Sequence, residues 1–519
     1  MNREMIFHFD HAHSGTIAEV SDVVGGKGAS LWAMTSKLRL PTPPGFTIGM
    51  NTCAMLGQSQ ATENFTATMD NAIARLEKET GKQLGCPENP LLLAVRSGAS
   101  VSMPGMMETI LNVGATPLTL PALQDITGDH FFVLDSYRRF LEGFCKSTLN
   151  IDHPMFNAQT TGQAGLADHI KDLETVVSER IGGEQLCDAR YLLNECIHAV
   201  IRSSSSATAQ AYRKKTGLPE SLGTAVTVQA MVFGNTGAGS GTGVVFSRDP
   251  NSGEKEICGD WISNAQGDDV VAGDSATSDI SVFGATHPSA YEELKLHLEQ
   301  LEIFYQDMVD VEFTVDQGKL WILQARAGKR TARAASRIAV ELANSERFEL
   351  NKKDALATIT QSLSNEKSST KILTGKKKPI TTGIGASAGI ASGFAVFTSE
   401  DAIEAAEDGK EVVLIRQETS PADVHGMAVA TGILTSLGGL MSHAAVVARD
   451  WNLPAVVGAA GMQFTADAVV IGTAKIQRGD IISIDGNTGE VFVGEMLSTA
   501  DDDPYLEQLK AWAEKKDTD

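Results

Sequence analysis

The stretch MVDVEFTVDQGKLWILQAR, Met308 to Arg326, constrains the fold more than any other part of the chain. Two runs rich in β-branched and aromatic residues flank Asp316-Gln317-Gly318, which reads as a three-residue hairpin loop with glycine at its last position. If Val315 faces Lys319, Thr314 pairs with Leu320, Glu312 with Ile322 and Asp310 with Gln324. Strand alternation then sets Asp310, Glu312, Gln324 and Arg326 on one face, opposite Val311, Phe313, Trp321 and Leu323. Two carboxylates, an amide oxygen and a guanidinium on one side of a sheet suit Mg²⁺ carried by nucleotide phosphates. The plain alternative is a solvated polar face. The metal reading is preferred because Gln324 and Arg326 sit at the same end as the acids.

A chain of 519 residues exceeds one compact core, so two to four domains are expected. Asp and Glu number 65 against 43 Lys and Arg, a formal net charge of −22. That charge repels nucleic-acid backbones and argues against general nucleic-acid binding; single nucleotides can still be captured by local sites. The six cysteines contain no CxxC pair, which argues against a zinc ribbon or disulfide framework and for a reducing compartment. The N-terminal MNREMIFHFDHAHSG carries charges where a signal peptide needs apolar residues, and no apolar run is long enough to span a bilayer. The expectation is a soluble, cytoplasmic protein that binds no membrane.

LLLAVRSG (Leu91–Gly98) and AVTVQAMVF (Ala225–Phe233) read as buried strands, and the region between them, about 115–205, has helical spacing. From Glu341 to Pro379 the chain turns polar and lysine-rich, which suits a linker. Gly-bounded strands such as EVVLIR and DIISIDG follow, and the acidic tail has room for one amphipathic helix. The boundaries read this way are 1–345, a linker at 346–379, a second domain at 380–497 and a tail at 498–519.

Three glycine-rich stretches could handle phosphate. GGKGAS surrounds Lys27 with glycines that let backbone N–H groups approach an anion, though taken alone it reads better as a surface lysine beside a flexible turn. RSGASVSMPGMMETILNVG begins with Arg96 at a strand end, and is either a phosphate grip with a closing loop or a mobile surface loop. FGNTGAGSGTGVVFSRDP is either a hairpin with a glycine-rich tip or a lid over a nucleotide triphosphate. A fourth stretch, TSLGGLMSHAAVVARDW, places His443 behind a glycine pair, as a capping histidine or as a nucleophile.

Taken together, GGKGASLWAMTSKLRLPTPPGFTI, VRSGASVSMPGMMETILNVG, GSGTGVVFSRDPNSGEKE, NAQGDDVVAG, VEFTVDQGKLWILQARAGKRTA and ETSPADVHGMAVATGILTSLGGLMSHAAVVARD resemble the pyruvate phosphate dikinase and phosphoenolpyruvate synthase family. They occur in the family's order from about residue 15 to 495. The resemblance implies an α/β and α+β multidomain chain: an ATP-grasp nucleotide domain with a helical subdomain, then a swivelling β/α phosphohistidine domain. It implies that Lys27 and Arg96 hold phosphates, that the Gln229–Phe233 strand, with Gln229 and Met231, lines the adenine, and that Asp310, Glu312, Gln324 and Arg326 serve metal and phosphoryl transfer. It makes His443 the phosphorylated residue. Local physics agrees: Ser442 can cap the helix that His443 opens, and the positive end of that helix disfavours imidazolium and favours a bound phosphate.

The implied reaction takes ATP to AMP, phosphorylates histidine, and passes the second phosphoryl group to inorganic phosphate or water. The implied partners are ATP, Mg²⁺ and a separate phosphoenolpyruvate- or pyruvate-binding acceptor protein, with a homodimer as one assembly open to it. Leu437 and Met441 depart from the family's usual arginine and threonine, and the family's C-terminal barrel lies outside the chain. Two other readings stand beside this one. The relay could serve a different small-molecule acceptor, as in phenylphosphate synthase, or the chain could be a regulatory remnant that binds ATP without turnover.

Overall fold

The computed structural model describes residues 4–58, 63–101, 108–151, 162–220, 222–272, 277–363, 371–373, 378–465, 468–471, 474–500 and 503–516. The chain forms two bodies, Met1–Ser240 with Trp321–Gln324, and Gly241–Leu320 with Ala325–Asp519. The α/β and α+β character read from the sequence is present in both.

The first body is built on strands β1 (Ile6–His8), β2 (Gly45–Ile48), β3 (Leu93–Gly98), β4 (Thr109–Val113) and β5 (Ala225–Ala230), in the order β1-β2-β5-β3-β4 with antiparallel neighbours. Central β5 is buried along its whole length, as its unbroken AVTVQA run requires. Helices His130–Ser147, Gly162–Ile181 and Ala189–Ser203 occupy the region of helical spacing. Their Phe140, Phe144, Leu173 and Leu193 share one core with Val95 and Val228 of the sheet. Asp129 and Asp188 cap two of these helices, accepting from Phe132 N and Tyr191 N, both at 3.0 Å.

The second body opens with β6 (Gly241–Phe246), β7 (Cys258–Ser263), β8 (Ser278–Asp279), β9 (Val309–Asp316) and β10 (Lys319–Ala327), ordered β10-β9-β6-β7-β8. Three expectations change here. The β9–β10 turn has two residues rather than three, because Gln317 and Gly318 both take positive φ (48° and 83°) and Asp316 joins the strand. That left-handed pair matches the twist of the flanking strands. The solvated polar face also fails: along β9 only Glu312 and Asp316 are even half-exposed. Finally, the glycine-rich stretch after Phe233 is no hairpin tip, since β5 and β6 belong to different sheets.

The rest of the second body holds β11 (Lys371–Leu373), β12 (Thr381–Thr382), β13 (Ile384–Ser387), β14 (Ile390–Val396), β15 (Val412–Arg416), β16 (Gly432–Thr435) and β17 (Ala455–Val457). After them come β18 (Met462–Phe464), β19 (Ala468–Ile471), β20 (Ala474–Gln477), β21 (Ile481–Asp485), β22 (Glu490–Val493) and β23 (Ser498–Ala500). Eight of these form a mixed sheet, β12-β22-β21-β14-β15-β16-β17-β13, whose β14–β17 run is parallel. Helix His443–Asp450 crosses from β16 to β17, as parallel pairing demands.

The lysine-rich segment expected as a linker is partly structured. Lys352–Leu363 is a helix that shares a core with Ala332–Ala343 and the tail helix Pro504–Lys516, through Val340, Ala355, Ile359 and Leu509. β11 and β23 pair antiparallel, so the strand before the eight-stranded sheet lies beside the strand after it. Residues 364–370 and 374–377 of that segment lie outside the described residues.

Arg248, just past β6, is 3% exposed and donates to Glu302 Oε1 at 2.8 Å and Glu341 Oε2 at 2.7 Å, tying two helices to the sheet. Removing one partner leaves a buried charge alone, which costs more than the pair contributes. Arg248→Ala should therefore lower unfolding stability by about 3–5 kcal/mol in chemical denaturation. A loss below about 1 kcal/mol would mean the site admits water.

Candidate functional site

In the first body, Lys27 lies on helix Ile17–Trp32 just past a kink at Gly25, where φ is 72° and ψ 164°. A Cβ on Gly25 would stand 1.8 Å from the Gly98 carbonyl oxygen, so only glycine lets the helix meet the end of β3 this closely. Gly26 N donates to Ala99 O at 2.9 Å. A Cβ on Gly98 would sit 3.3 Å from the Lys27 Cβ, so the lysine stem passes over the end of the strand that carries Arg96. The kink brings the two expected phosphate cations to one strand end. The loop beyond Ser100, read as a closing loop, is outside the described residues from 102 to 107. Gln229 is 3% exposed and its amide donates to Pro43 O at 3.0 Å, while Met231 N donates to Leu92 O at 2.9 Å.

In the second body, Arg326 Nε lies 2.9 and 2.8 Å from the two oxygens of Asp310, so these two do share a face. Burial pushes the Asp310 carboxyl above its ordinary value against the pull of Arg326. Burial also works against the Arg326 charge, but Asp310 and Glu312 more than offset it. Glu312 is half-buried two positions along β9, and Gln324 is 7% exposed within the Trp321–Gln324 stretch of the first body.

Register orders this sheet face. Val244 pairs with both Glu312 and Asp260, so Glu312, Val244 and Asp260 form one row across β9, β6 and β7. Phe246 likewise aligns Asp310 with Cys258 in the next row on the same face. The His443 helix lies over these rows. Met441 N donates to Asp260 Oδ2 at 3.2 Å, and a Cβ on Gly439 would fall 2.3 Å from that oxygen. The space left by the missing side chain of Gly439 is thus taken by a carboxylate. The Arg449 guanidinium sits 5.2 Å over the Phe246 ring, donating to Ala386 O at 2.8 Å and to Leu440 O. Complete burial draws Arg449 down to about 10, with Asp310, Cys258 and Asp260 opposing.

His443 begins its helix as expected, with Ser442 Oγ accepting from Ala445 N at 3.4 Å. Burial pulls its imidazole below the ordinary value, opposed by Asp423, and the ring is neutral at neutral pH. Its Nε2 is buried with no hydrogen-bond partner among the described residues. Asp423 is held by Ser420 N at 2.9 Å and Ser399 Oγ at 3.1 Å. Sequence reading missed Asp260, Asp423 and Arg449. Asp423 and Arg449 stood inside quoted motifs, whereas nothing local marked Asp260.

No cluster of three or more His, Cys, Asp or Glu side chains among the described residues is arranged to hold a metal. Mg²⁺ needs only one or two carboxylates when phosphates supply the rest, so Glu312, whose neighbour Asp310 is engaged by Arg326, fits that role. No helix among the described residues is long and apolar enough to cross a membrane.

Comparison with known families places these pieces in register with two models. The pyruvate phosphate dikinase AMP/ATP-binding domain matches residues 51–290 and 287–347, and the mobile domain of PEP-utilising enzymes matches 409–489, which includes His443. The pyruvate, phosphate dikinase of Rhizobium meliloti (strain 1021) is 39% identical over 523 residues, covering 95% of this chain and 58% of its own length. That of Rickettsia felis is 40% identical over 517 residues, with the same coverage of 95% and 58%. That of Giardia intestinalis is 41% identical over 527 residues, again covering 95% and 58%. The chain therefore spans a little over half the length of the curated relatives it matches.

A folded-state pKa below the free value means that protonation favours the unfolded chain. The contribution of His443 to stability should be complete above the free value of about 6.5 and decline as pH falls below it. An imidazole NMR titration should show His443 still neutral at about pH 6.5, where a free imidazole is half protonated. Titration of His443 at or above that free value would mean a solvated ring.

Proposed function

The chain belongs to the pyruvate phosphate dikinase family, and on that premise we propose that it is an ATP-dependent, cytoplasmic histidine phosphotransferase. ATP loses two phosphoryl groups in this reading: one becomes bonded to His443, the other passes to inorganic phosphate or water, and AMP remains. The single observation that carries it is His443 itself, a half-buried imidazole shifted toward its neutral form at the positive end of a capped helix, within the segment matching a mobile domain.

Each residue then has a task. Lys27 and Arg96 hold phosphates at the end of β3. Arg326, kept charged by Asp310 and Glu312, stabilises the charge that develops on the transferring group. Glu312 and Gln324 would hold Mg²⁺, which when bound supplies charge neutralisation on the phosphates. Helix-end N–H groups and Ser442 orient His443 for attack and favour the phosphate once the P–N bond forms. Splitting one transfer into two is the gain of a covalent intermediate. The final acceptor would be phosphoenolpyruvate/pyruvate chemistry on a separate domain or subunit. Gln229 and Met231 would line the adenine from the C-terminal end of β5, their polar groups being committed to Pro43 and Leu92.

Incubation with β-labelled ATP should give an acid-labile label on His443, with AMP as product and no label in His443→Asn. Stoichiometric ADP without AMP would overturn the dikinase assignment in favour of a simple kinase. Glu312→Ala should reduce labelling far more than ATP binding, because the lost interaction matters most in the transition state. Arg326→Ala should slow labelling by about 100-fold. Near-normal labelling in both variants would remove β9 and β10 from the active site.

A further inference from the structure

Met441 stands two residues before His443 and is 2% exposed. Its side chain enters an apolar cluster with Val244, Phe246, Val270, Met308 and Ile338, which come from the five-stranded sheet and the elements packed on it. From its own side only Val446 joins, one turn into the helix and on the same stripe as His443. So the loop carrying the phosphate acceptor reaches into a core that belongs to other elements. A phosphohistidine that serves two sites must leave the first, and the matching segment is described as a mobile domain.

We propose that Met441 is an apolar pin that holds the His443 loop on the β6–β7 face and sets how often the loop leaves it. The inference rests on the phosphohistidine reading for its meaning, while its geometry stands apart from that reading. The other ties across this face are polar. Asp260 accepts from Met441 N at 3.2 Å and also from the backbone N–H of Leu440, and Asn251 Nδ2 donates to Gly385 O at 2.7 Å. Lys329 pairs with Asp450 where the lysine side chain is 36% exposed. An exposed ion pair shifts an equilibrium by a few-fold at most, whereas burying a methionine side chain shifts it by about 10- to 100-fold. Arg449 also reaches Phe246, but its hydrogen bonds go to Ala386 and Leu440, which travel with the His443 helix. Met441 is therefore the main apolar hold, beside the electrostatic one between Arg449 and the carboxylates of Asp310 and Asp260. It is a positioning residue, since it acts on His443 only through the loop.

The test follows modification of His443 by diethyl pyrocarbonate in the full chain without ATP, resolved by peptide mass spectrometry, with exposed His130 as internal reference. Because Nε2 is buried and the ring half-buried in the docked loop, a rise in the modification rate over that of the parent chain reads added undocking. Met441→Thr should raise the His443 rate about 10-fold or more with His130 unchanged, and Met441→Leu should stay within about twofold of the parent. Val446→Thr, isosteric and in the same cluster, should raise it by a smaller factor and decides the matter if Met441→Thr does not fold. Unchanged His443 rates in these threonine variants, with the fold intact by circular dichroism, would overturn the pin. A parent chain that takes no label from β-labelled ATP would sink the phosphotransfer reading, while the modification series would still judge the pin.

Discussion

The arrangement around His443 depends on one buried cation. Arg449 has no exposure to speak of, and a guanidinium in such a place is tolerated only where aromatic and carbonyl partners replace its water. Phe246 supplies the ring face, and Ala386 and Leu440 supply the carbonyls. The bond to Leu440 closes the loop before the helix against the helix's own last turn, so the backbone that presents His443 is shaped by a residue far along the same helix. The carboxyls of Asp310 and Asp260 lie close enough to oppose the loss of its charge. The sheet that carries the candidate phosphate chemistry and the helix that carries the candidate nucleophile thus share one electrostatic centre.

Around that centre the sheet works as a ruler. β-pairing puts Glu312 and Asp260 in the same row with Val244 between them, about 10 Å apart at the usual strand spacing. The loop before His443 rests on the Asp260 end of that row and leaves no room for a side chain at Gly439. Burial raises the Asp260 carboxyl above its ordinary value, opposed by the backbone N–H of Met441. Position along the row is set by covalent strand geometry, and contact with it by one loop. That separation lets a rigid sheet and a mobile segment meet reproducibly.

Much of this was legible before any coordinates. The helix start at Ser442-His443, the buried character of β5, the helical middle of the first body and the existence of the Met308–Arg326 hairpin all follow from short-range rules. The turn count failed because Gln317 takes a left-handed conformation that its side chain does not advertise. The lysine-rich segment was read as a linker because its polarity conceals the small apolar stripe, Ala355 and Ile359, that meets Val340 and Leu509.

What the sequence by itself determined is whatever depends on neighbours within a turn or a strand: capping, alternation, glycine at kinks, and the order of motifs that ties the chain to its family. What only the tertiary structure decided is which distant groups meet. Met441 and Asp260 are 181 residues apart in the chain, and Arg449 and Ala386 are 63 apart. No periodicity links such pairs, because their contact is fixed by how sheets and helices pack, and packing is a property of the whole fold. The same holds for the burial that makes His443 neutral. A histidine's identity is written in one position, but its ionisation is set by everything that keeps water away from it.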